Sequence, residues 1–141
     1  MKNEDGNSNV VVLYEKIYTD DLSIHVPKLF AKQNITNINI NRYWQNSVDG
    51  FYAFDCINYL MCIGGNVRVV IANNEGNETY KFNQYFLSEF DGKIVKIMPG
   101  TFFAVHNLLL QPSVLISGCD GSNASFDRLS AKIFNWNSKR C

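Results

Sequence analysis

Histidine is scarce in this chain, whose 141 residues contain only two, His25 and His106. A catalytic metal centre normally needs three or four converging ligands, and two isolated histidines among scattered carboxylates have no such spacing. We therefore expect no catalytic metal, and nothing in the sequence predicts an organic cofactor. Both histidines stand in strand-like apolar segments, which favours a structural role for each.

The chain also lacks net charge and long hydrophobic runs. Its 13 basic and 13 acidic residues balance to a formal charge of +0, so no overall field favours nucleic acid or an anionic membrane. The longest apolar runs, such as Tyr59 to Ile63, are far shorter than the ~20 residues that a membrane-spanning helix needs. The first residues are polar and hold no signal-peptide core. We expect a cytoplasmic protein without nucleic-acid or membrane partners.

The four cysteines show neither a Cys-x-x-Cys pair nor the spacing of a zinc site. Two of them lie in apolar, strand-like sequence, and unpaired cysteine is among the most buried residue types. The sequence therefore predicts buried free thiols at Cys56, Cys62, Cys119 and Cys141.

Apolar residues mostly recur with a period of two or in short β-rich runs, and no stretch carries a helical stripe over three turns. This pattern predicts an all-β domain. We expect a disordered tail over residues 1–9, a single β-barrel domain over residues 10–141, and a short helical or irregular closing segment from Ser125 to Cys141. The predicted strands are 10–19, 23–30, 35–43, 50–63, 66–73, 79–87, 93–98, 102–109 and 113–118.

Two segments narrow the fold class further. Residues 87–108 read LSEFDGKIVKIMPGTFFAVHNL, a strand, a tight Pro-Gly turn and a second strand. That order is typical of the double-stranded β-helix, the jelly-roll-like barrel of cupins. Residues 66–73 read NVRVVIAN, nearly continuous apolar sequence that predicts a strand covered on both faces.

Several segments follow one another in an order shared with one known family. From Tyr59 onward they are YLMCIGGNVRVVIAN, FLSEFDGKIVKIMPGTFFAVHNL, SVLISGCDG and FDRLSAKIFNWN, and YTDDLSIHVPKLF precedes them near the N-terminus. This order resembles the dTDP-4-dehydrorhamnose 3,5-epimerase family of cupins over about residues 16–137. The resemblance implies a cupin barrel, a nucleotide-linked deoxysugar as ligand, and a place in nucleotide-deoxysugar or surface-polysaccharide biosynthesis.

The chain departs from that family at the residues that carry its acid–base chemistry. The family's histidine in an Arg-Gly-Leu-His motif has no counterpart in NRYWQNSVDGFYAFDC, residues 41–56. The two histidines of the related nucleotide-sugar 3,4-ketoisomerases fall on Tyr52 and Phe54, and Phe102 and Phe103 follow the Pro-Gly turn where the family has a further histidine. Epimerisation needs a general base and an acid on opposite faces of the sugar. The resemblance therefore implies the fold of the family without its reaction.

The remaining polar and aromatic residues supply candidates for a site. Relocated acid–base groups, if the chain is catalytic, would be His106, Tyr52 and Asp120. Rings can stack on a sugar or a base, and arginine pairs with phosphate oxygens. Core packing of the rings and solvent-facing strand positions of the arginines are the competing explanations. The predicted binding residues are Arg42, Tyr43, Trp44, Tyr52, Arg68 and Phe103.

Three functions remain open at this point. The chain is a degenerate relative that binds a ligand or partner, an active epimerase or ketoisomerase with relocated acid and base, or a non-enzymatic β-sandwich binding module. Analogy of fold does not separate them. A small all-β domain must also pair or cover its edge strands, and relatives of this fold commonly pair by exchanging N-terminal strands. We therefore expect a homodimer with residues 10–18 in its interface.

Overall fold

The computed structural model describes residues 9–14, 35, 37–121 and 125–137. No α-helix occurs among these residues, which confirms the all-β prediction, and none of their elements is a helix that could cross a membrane. The strands are β1 (Val10–Tyr14), β2 (Asn37–Tyr43), β3 (Val48–Phe54), β4 (Asn58–Gly64), β5 (Asn66–Gly76), β6 (Thr79–Ser88), β7 (Lys93–Ile97), β8 (Phe102–Asn107), β9 (Ser113–Cys119) and β10 (Phe126–Arg128), followed by a 3₁₀ turn at Ala131–Ile133.

The strands form two five-stranded antiparallel sheets. The first sheet has the order β1-β7-β4-β9-β2, and the second has the order β10-β3-β8-β5-β6. From β3 to β9 the chain passes repeatedly from one sheet to the other, so most neighbours within a sheet are distant in sequence. Two facing sheets with such crossings bury one shared core between them.

Strand β5 shows how the core is built. Its residues Val67, Val69 and Ile71 point between the sheets and are fully buried there. Val70 and Ala72 point to the outer face of the second sheet, where the closing segment covers them. The predicted coverage of this strand on both faces is confirmed, and each fully buried valine or isoleucine contributes about 1.5–3 kcal/mol by its removal from water.

The Pro99-Gly100 turn lies where the sequence predicts it. Gly100 has a φ of +80°, a conformation that glycine adopts without steric cost. Phe102 and Phe103 follow on β8, so the predicted strand after this turn is confirmed. Phe103 points between the sheets, and Phe102 packs on the outer face of the second sheet.

One predicted strand is wrong in its extent. The segment 50–63 forms the end of β3 and most of β4, separated by residues 55–57. No glycine or proline marks this break in the sequence. The break is stabilised instead by contacts with residues distant in sequence: the Ile57 amide donates a hydrogen bond to the Asp120 carboxylate at 2.8 Å. The predicted strand 23–30 and residues 15–19 lie outside the described residues.

The ends of the chain add two details. Asn9, assigned by sequence to the tail, donates from its amide to the side chain of Asn73 at 3.0 Å, and the rest of the predicted tail lies outside the described residues. The closing segment contributes β10, which pairs with β3 at the edge of the second sheet.

The cysteines differ from the sequence prediction. Cys56 and Cys119 form a disulfide, so the prediction of free thiols is wrong for this pair. Their proximity follows from the pairing of β4 with β9, which places Asn58 opposite Cys119. Cys62 is buried and free as predicted, and burial raises the pKa of its thiol to about 11. Cys141 lies outside the described residues.

Candidate functional site

A pocket of about 330 Å³ opens between the two sheets. Four asparagines give it an amide-rich wall, and three of them lie on β2. Successive residues of a strand point to opposite faces, so Asn37, Asn39 and Asn41 face the pocket while Ile38 and Ile40 face outward and are exposed. The fourth asparagine is Asn58 at the start of β4.

Two of these amides are anchored beside the disulfide. The Asn37 amide nitrogen donates to the Gly121 carbonyl at 2.8 Å. The Asn58 amide nitrogen donates to the Cys56 carbonyl at 3.4 Å. Both side chains keep polar atoms in a pocket that Cys119 also lines.

A β-bulge places Asp49 and Tyr52 on the same wall of the pocket. Regular alternation would put residues three apart on opposite faces of β3, but the register with β8 shifts between Gly50 and Tyr52. Gly50 permits the close approach, since it has a φ of +131° and a Cβ atom there would lie 2.7 Å from the Ala104 Cα. Asp49 and Tyr52 therefore both line the pocket.

The titratable groups of the pocket are two phenols and one carboxylate. Burial raises the pKa of Tyr52 above its ordinary value, and a hydrogen bond from its hydroxyl to Asp49 raises it further. Burial also raises the pKa of Tyr43, with a second contribution from the Asp49 charge. Both phenols therefore stay protonated near neutral pH and can donate hydrogen bonds. Among the described residues that line the pocket, Asp49 alone carries a formal charge.

Aromatic rings continue from the pocket to its edge. Phe103 and Phe54 line the pocket with ring centroids 5.9 Å apart. Phe126 of β10 contacts both Phe54 and Tyr52, each with a centroid distance of 5.4 Å. The Arg128 guanidinium lies over Tyr52 and Phe126, at 5.6 and 5.4 Å from their centroids. This stacking places a cation at the edge of the pocket.

Three of the six predicted binding residues come together in the pocket, and the other three lie outside it. Tyr43, Tyr52 and Phe103 line it. Arg42 follows Asn41 on β2 and therefore points to the opposite face, where its guanidinium lies 5.8 Å from the Trp44 ring centroid. Trp44 is 63% exposed beyond the end of β2. Arg42 and Trp44, which the sequence predicts as binding residues, do not line this pocket, because the alternation of β2 turns Arg42 away and Trp44 projects into solvent.

Arg68 and His106 also lie away from the pocket, on the outer face of the second sheet. The Arg68 guanidinium donates to His106 Nδ1 at 3.2 Å, to Gln84 Oε1 at 3.1 Å and to the Trp136 carbonyl at 2.7 Å. Because Arg68 only donates, Nδ1 of His106 accepts, and Nε2 carries the proton toward Asn46 Oδ1 at 2.8 Å. Burial lowers the pKa of His106, and the Arg68 charge lowers it further. The residues next to Arg68 on β5 and next to His106 on β8 point inward. Because side chains alternate between the two faces of a strand, Arg68 and His106 point outward and do not reach the pocket.

Asp120 does not reach the pocket either. It is exposed after β9, and its carboxylate accepts the hydrogen bond from the Ile57 amide. Ligand atoms of Asp120, Cys56 and Cys119 lie within 4.8 Å of one another, which is metal-like spacing. The two sulfurs are joined in the disulfide, however, and offer no thiolate to a metal. His25 lies outside the described residues.

Six residues that give the site and its edge their amide and charged groups are absent from the set predicted from the sequence. The alternating asparagines of the segment NININ, residues 37–41, were a visible signal for one polar face of a strand. The bulge that brings Asp49 inward has no comparable signal, and the short strand of Arg128 lies in a segment predicted to be helical or irregular. The missed residues are Asn37, Asn39, Asn41, Asp49, Asn58 and Arg128.

The sequence matches no protein-family model and no curated protein, but many solved structures share its architecture. The dTDP-4-dehydrorhamnose 3,5-epimerase of Sulfolobus tokodaii superposes with a TM-score of 0.74 at 15% identity, over 94% of this chain and 84% of that one. A dTDP sugar isomerase of Desulfovibrio desulfuricans G20 gives 0.75 at 13% identity, over 94% of each chain.

A third structure contains a bound sugar nucleotide. The 3,5-epimerase of Legionella pneumophila in complex with dTDP-4-keto-L-rhamnose gives a TM-score of 0.70 at 14% identity, over 93% of this chain and 77% of that one. At such low identities the likeness concerns the fold. The chain therefore has the double-stranded β-helix fold of the dTDP-sugar epimerases and isomerases, as the resemblance in its sequence predicts.

Proposed function

We propose that this protein binds a nucleotide-linked sugar in the pocket and does not epimerise it, acting in nucleotide-deoxysugar or surface-polysaccharide biosynthesis. The observation that carries the proposal is the composition of the pocket wall. Four amides and four aromatic rings line it, and no histidine occurs among its described lining residues. The pocket is thus equipped to hold a sugar, and its described lining offers no imidazole base of the kind used by the family it resembles.

The wall suits a sugar ring for two reasons. Each asparagine amide both donates and accepts hydrogen bonds, which matches the dual character of a sugar hydroxyl. The rings of Tyr43, Tyr52, Phe54 and Phe103 offer flat apolar surface for the carbon faces of the sugar. The volume of about 330 Å³ lies in the range of small-molecule sites.

The nucleotide part is assigned to the edge of the pocket. The carboxylate of Asp49 would repel a diphosphate inside the pocket, whereas the Arg128 guanidinium beside Tyr52 would attract one. Phe126 beneath Arg128 is 45% exposed and could stack on a base. The Legionella structure holds a dTDP-linked sugar on the same fold, which supports this class of ligand.

A second candidate function rests on the pairing of Asp49 with Tyr52. A carboxylate beside two protonated phenols is a proton-transfer arrangement, with Asp49 as base and Tyr52 or Tyr43 as acid. An exposed carboxylate that already accepts a hydrogen bond is a weak base for a sugar C–H group. For that reason we rank an active isomerase with relocated groups below a binding protein.

One experiment separates these functions. dTDP-4-keto-6-deoxyglucose is titrated into the protein by calorimetry, and the same mixture in deuterium oxide is followed by NMR at sugar carbons 3 and 5. We expect binding heat and no deuterium exchange above the protein-free rate. Exchange that is lost in Asp49→Asn but kept in the control Asp120→Asn would instead establish the isomerase. Neither heat nor exchange, with dTDP also failing to bind, would favour a non-enzymatic β-sandwich binding module.

A further inference from the structure

We propose that the sugar held in this pocket carries an amino group, and that its ammonium pairs with Asp49. The inference rests on the proposed function and names the chemical class of the sugar. It follows from the position of one carboxylate and from the charges around it.

The described lining of the pocket carries one formal charge, and that charge is negative. Asp49 is the sole formally charged residue among its described lining residues. The Tyr52 hydroxyl bonds to this carboxylate, and no lysine or arginine occurs among the described residues that line the pocket. A single hydroxyl leaves further lone pairs of the carboxylate open to a ligand.

The surroundings of Asp49 suit an ammonium group better than a neutral hydroxyl. The rings of Tyr43 and Tyr52 line the pocket together with Asp49, and the face of a phenol attracts a cation. Asn41 on the facing strand supplies an amide oxygen as another acceptor. Carboxylate, aromatic faces and amide oxygens together favour a small cation and disfavour an acidic sugar.

The opposite charge lies at the edge of the pocket. Arg128 stacks over Tyr52 from β10, whereas Asp49 accepts the hydrogen bond of the same tyrosine from within the pocket. The two charges thus flank one ring. A nucleotide-linked amino sugar has the complementary arrangement, with its ammonium on the sugar and its negative charge on the diphosphate.

The test compares two ligands that differ at one nitrogen. dTDP-4-amino-4,6-dideoxyglucose and its N-acetyl derivative share the nucleotide and the ring, but only the first is cationic near neutral pH. We expect calorimetry to show about fivefold tighter binding of the amine, the size typical of an exposed charge pair. Asp49→Asn should abolish this preference, and the matched control Asp120→Asn should retain it. Added salt should weaken the preference in the wild type.

The outcomes distinguish the inference from the proposed function. If both ligands and dTDP bind but the amine has no advantage, or if Asp49→Asn keeps the advantage, the amino-sugar inference is wrong and the binding function stands. If none of the three ligands binds, both proposals are wrong. Circular dichroism of the two variants checks that each retains the fold.

Discussion

Loss of the disulfide between Cys56 and Cys119 should lower the stability of the protein by about 4 kcal/mol. The bond joins residues 63 apart in sequence. On the chain-entropy treatment, closing a loop of about that length removes enough freedom from the unfolded chain to stabilise the folded state by about 4 kcal/mol at 25 °C. A domain of this size is commonly stable by only about 5–15 kcal/mol. Cys119→Ala should therefore unfold at a much lower urea concentration than the wild type, and dithiothreitol should lower the wild type to a similar midpoint.

The matched control is Cys62→Ala, which removes a buried thiol that forms no disulfide. This variant should lose less stability than Cys119→Ala, because it leaves only a small cavity. Its urea midpoint should still fall on addition of dithiothreitol, whereas the midpoint of Cys119→Ala should not. A thiol titration in denaturant should detect no more than two of the four cysteines as free before reduction. Four free thiols, or a wild-type midpoint unmoved by the reductant, would refute the reasoning. The result also bears on location, because lasting disulfides are rare in the cytoplasm that the sequence predicts.

Three further predictions concern the edge of the pocket, the pH dependence and the assembly. Arg128→Met should weaken dTDP binding about tenfold in calorimetry by removing a charged hydrogen bond, and Arg42→Met, which also removes an arginine stacked on a ring, should not; equal losses would contradict the assignment. Folding lowers the pKa of His106, so as the pH falls the unfolded chain takes up a proton on this histidine before the folded protein does. The stability that is present above about pH 6.5 should therefore be lost as the pH falls further. The urea midpoint of His106→Gln should decline less than that of the wild type, and parallel declines would exclude this cause. Light scattering should report a homodimer that becomes monomeric on deletion of residues 10–18; a wild-type monomer at micromolar concentration would end that proposal.

The strands could be predicted where their ends have local signals. The Pro99-Gly100 turn and the apolar composition of residues 66–73 are local signals for a turn and a buried strand. The observed limits of β5, β7 and β8 are accordingly close to the predicted ones. The break between β3 and β4 depends instead on Asp120 and Cys119, more than 60 residues away. The pattern of a single sequence does not reveal such contacts, and it therefore predicts one strand where the structure has two.

The site was predictable only in part, for a similar reason. Tyr52 was identifiable through the resemblance, since it falls at a histidine position of the ketoisomerases, and it does line the pocket. Arg68 has the chemistry of a phosphate ligand, but the alternation of β5 turns it to the outer face. Asp49 has no distinguishing neighbours in sequence and enters the pocket only through the bulge beside Gly50. Residue type indicates what a side chain can do, whereas strand register decides where it does it.

The contacts of Arg68 with the closing segment have a consequence for solubility. Phe134 and Trp136 cover apolar residues of the second sheet, among them Phe51 and Val70, and the guanidinium fastens this cover through the Trp136 carbonyl. A truncated protein that ends before Trp136 lacks the hydrogen bond from Arg68 to the Trp136 carbonyl. It exposes apolar surface on the outer face of the second sheet, and such surface promotes association between molecules. Residues 126–137 thus cover an apolar surface that would otherwise be open to association between molecules.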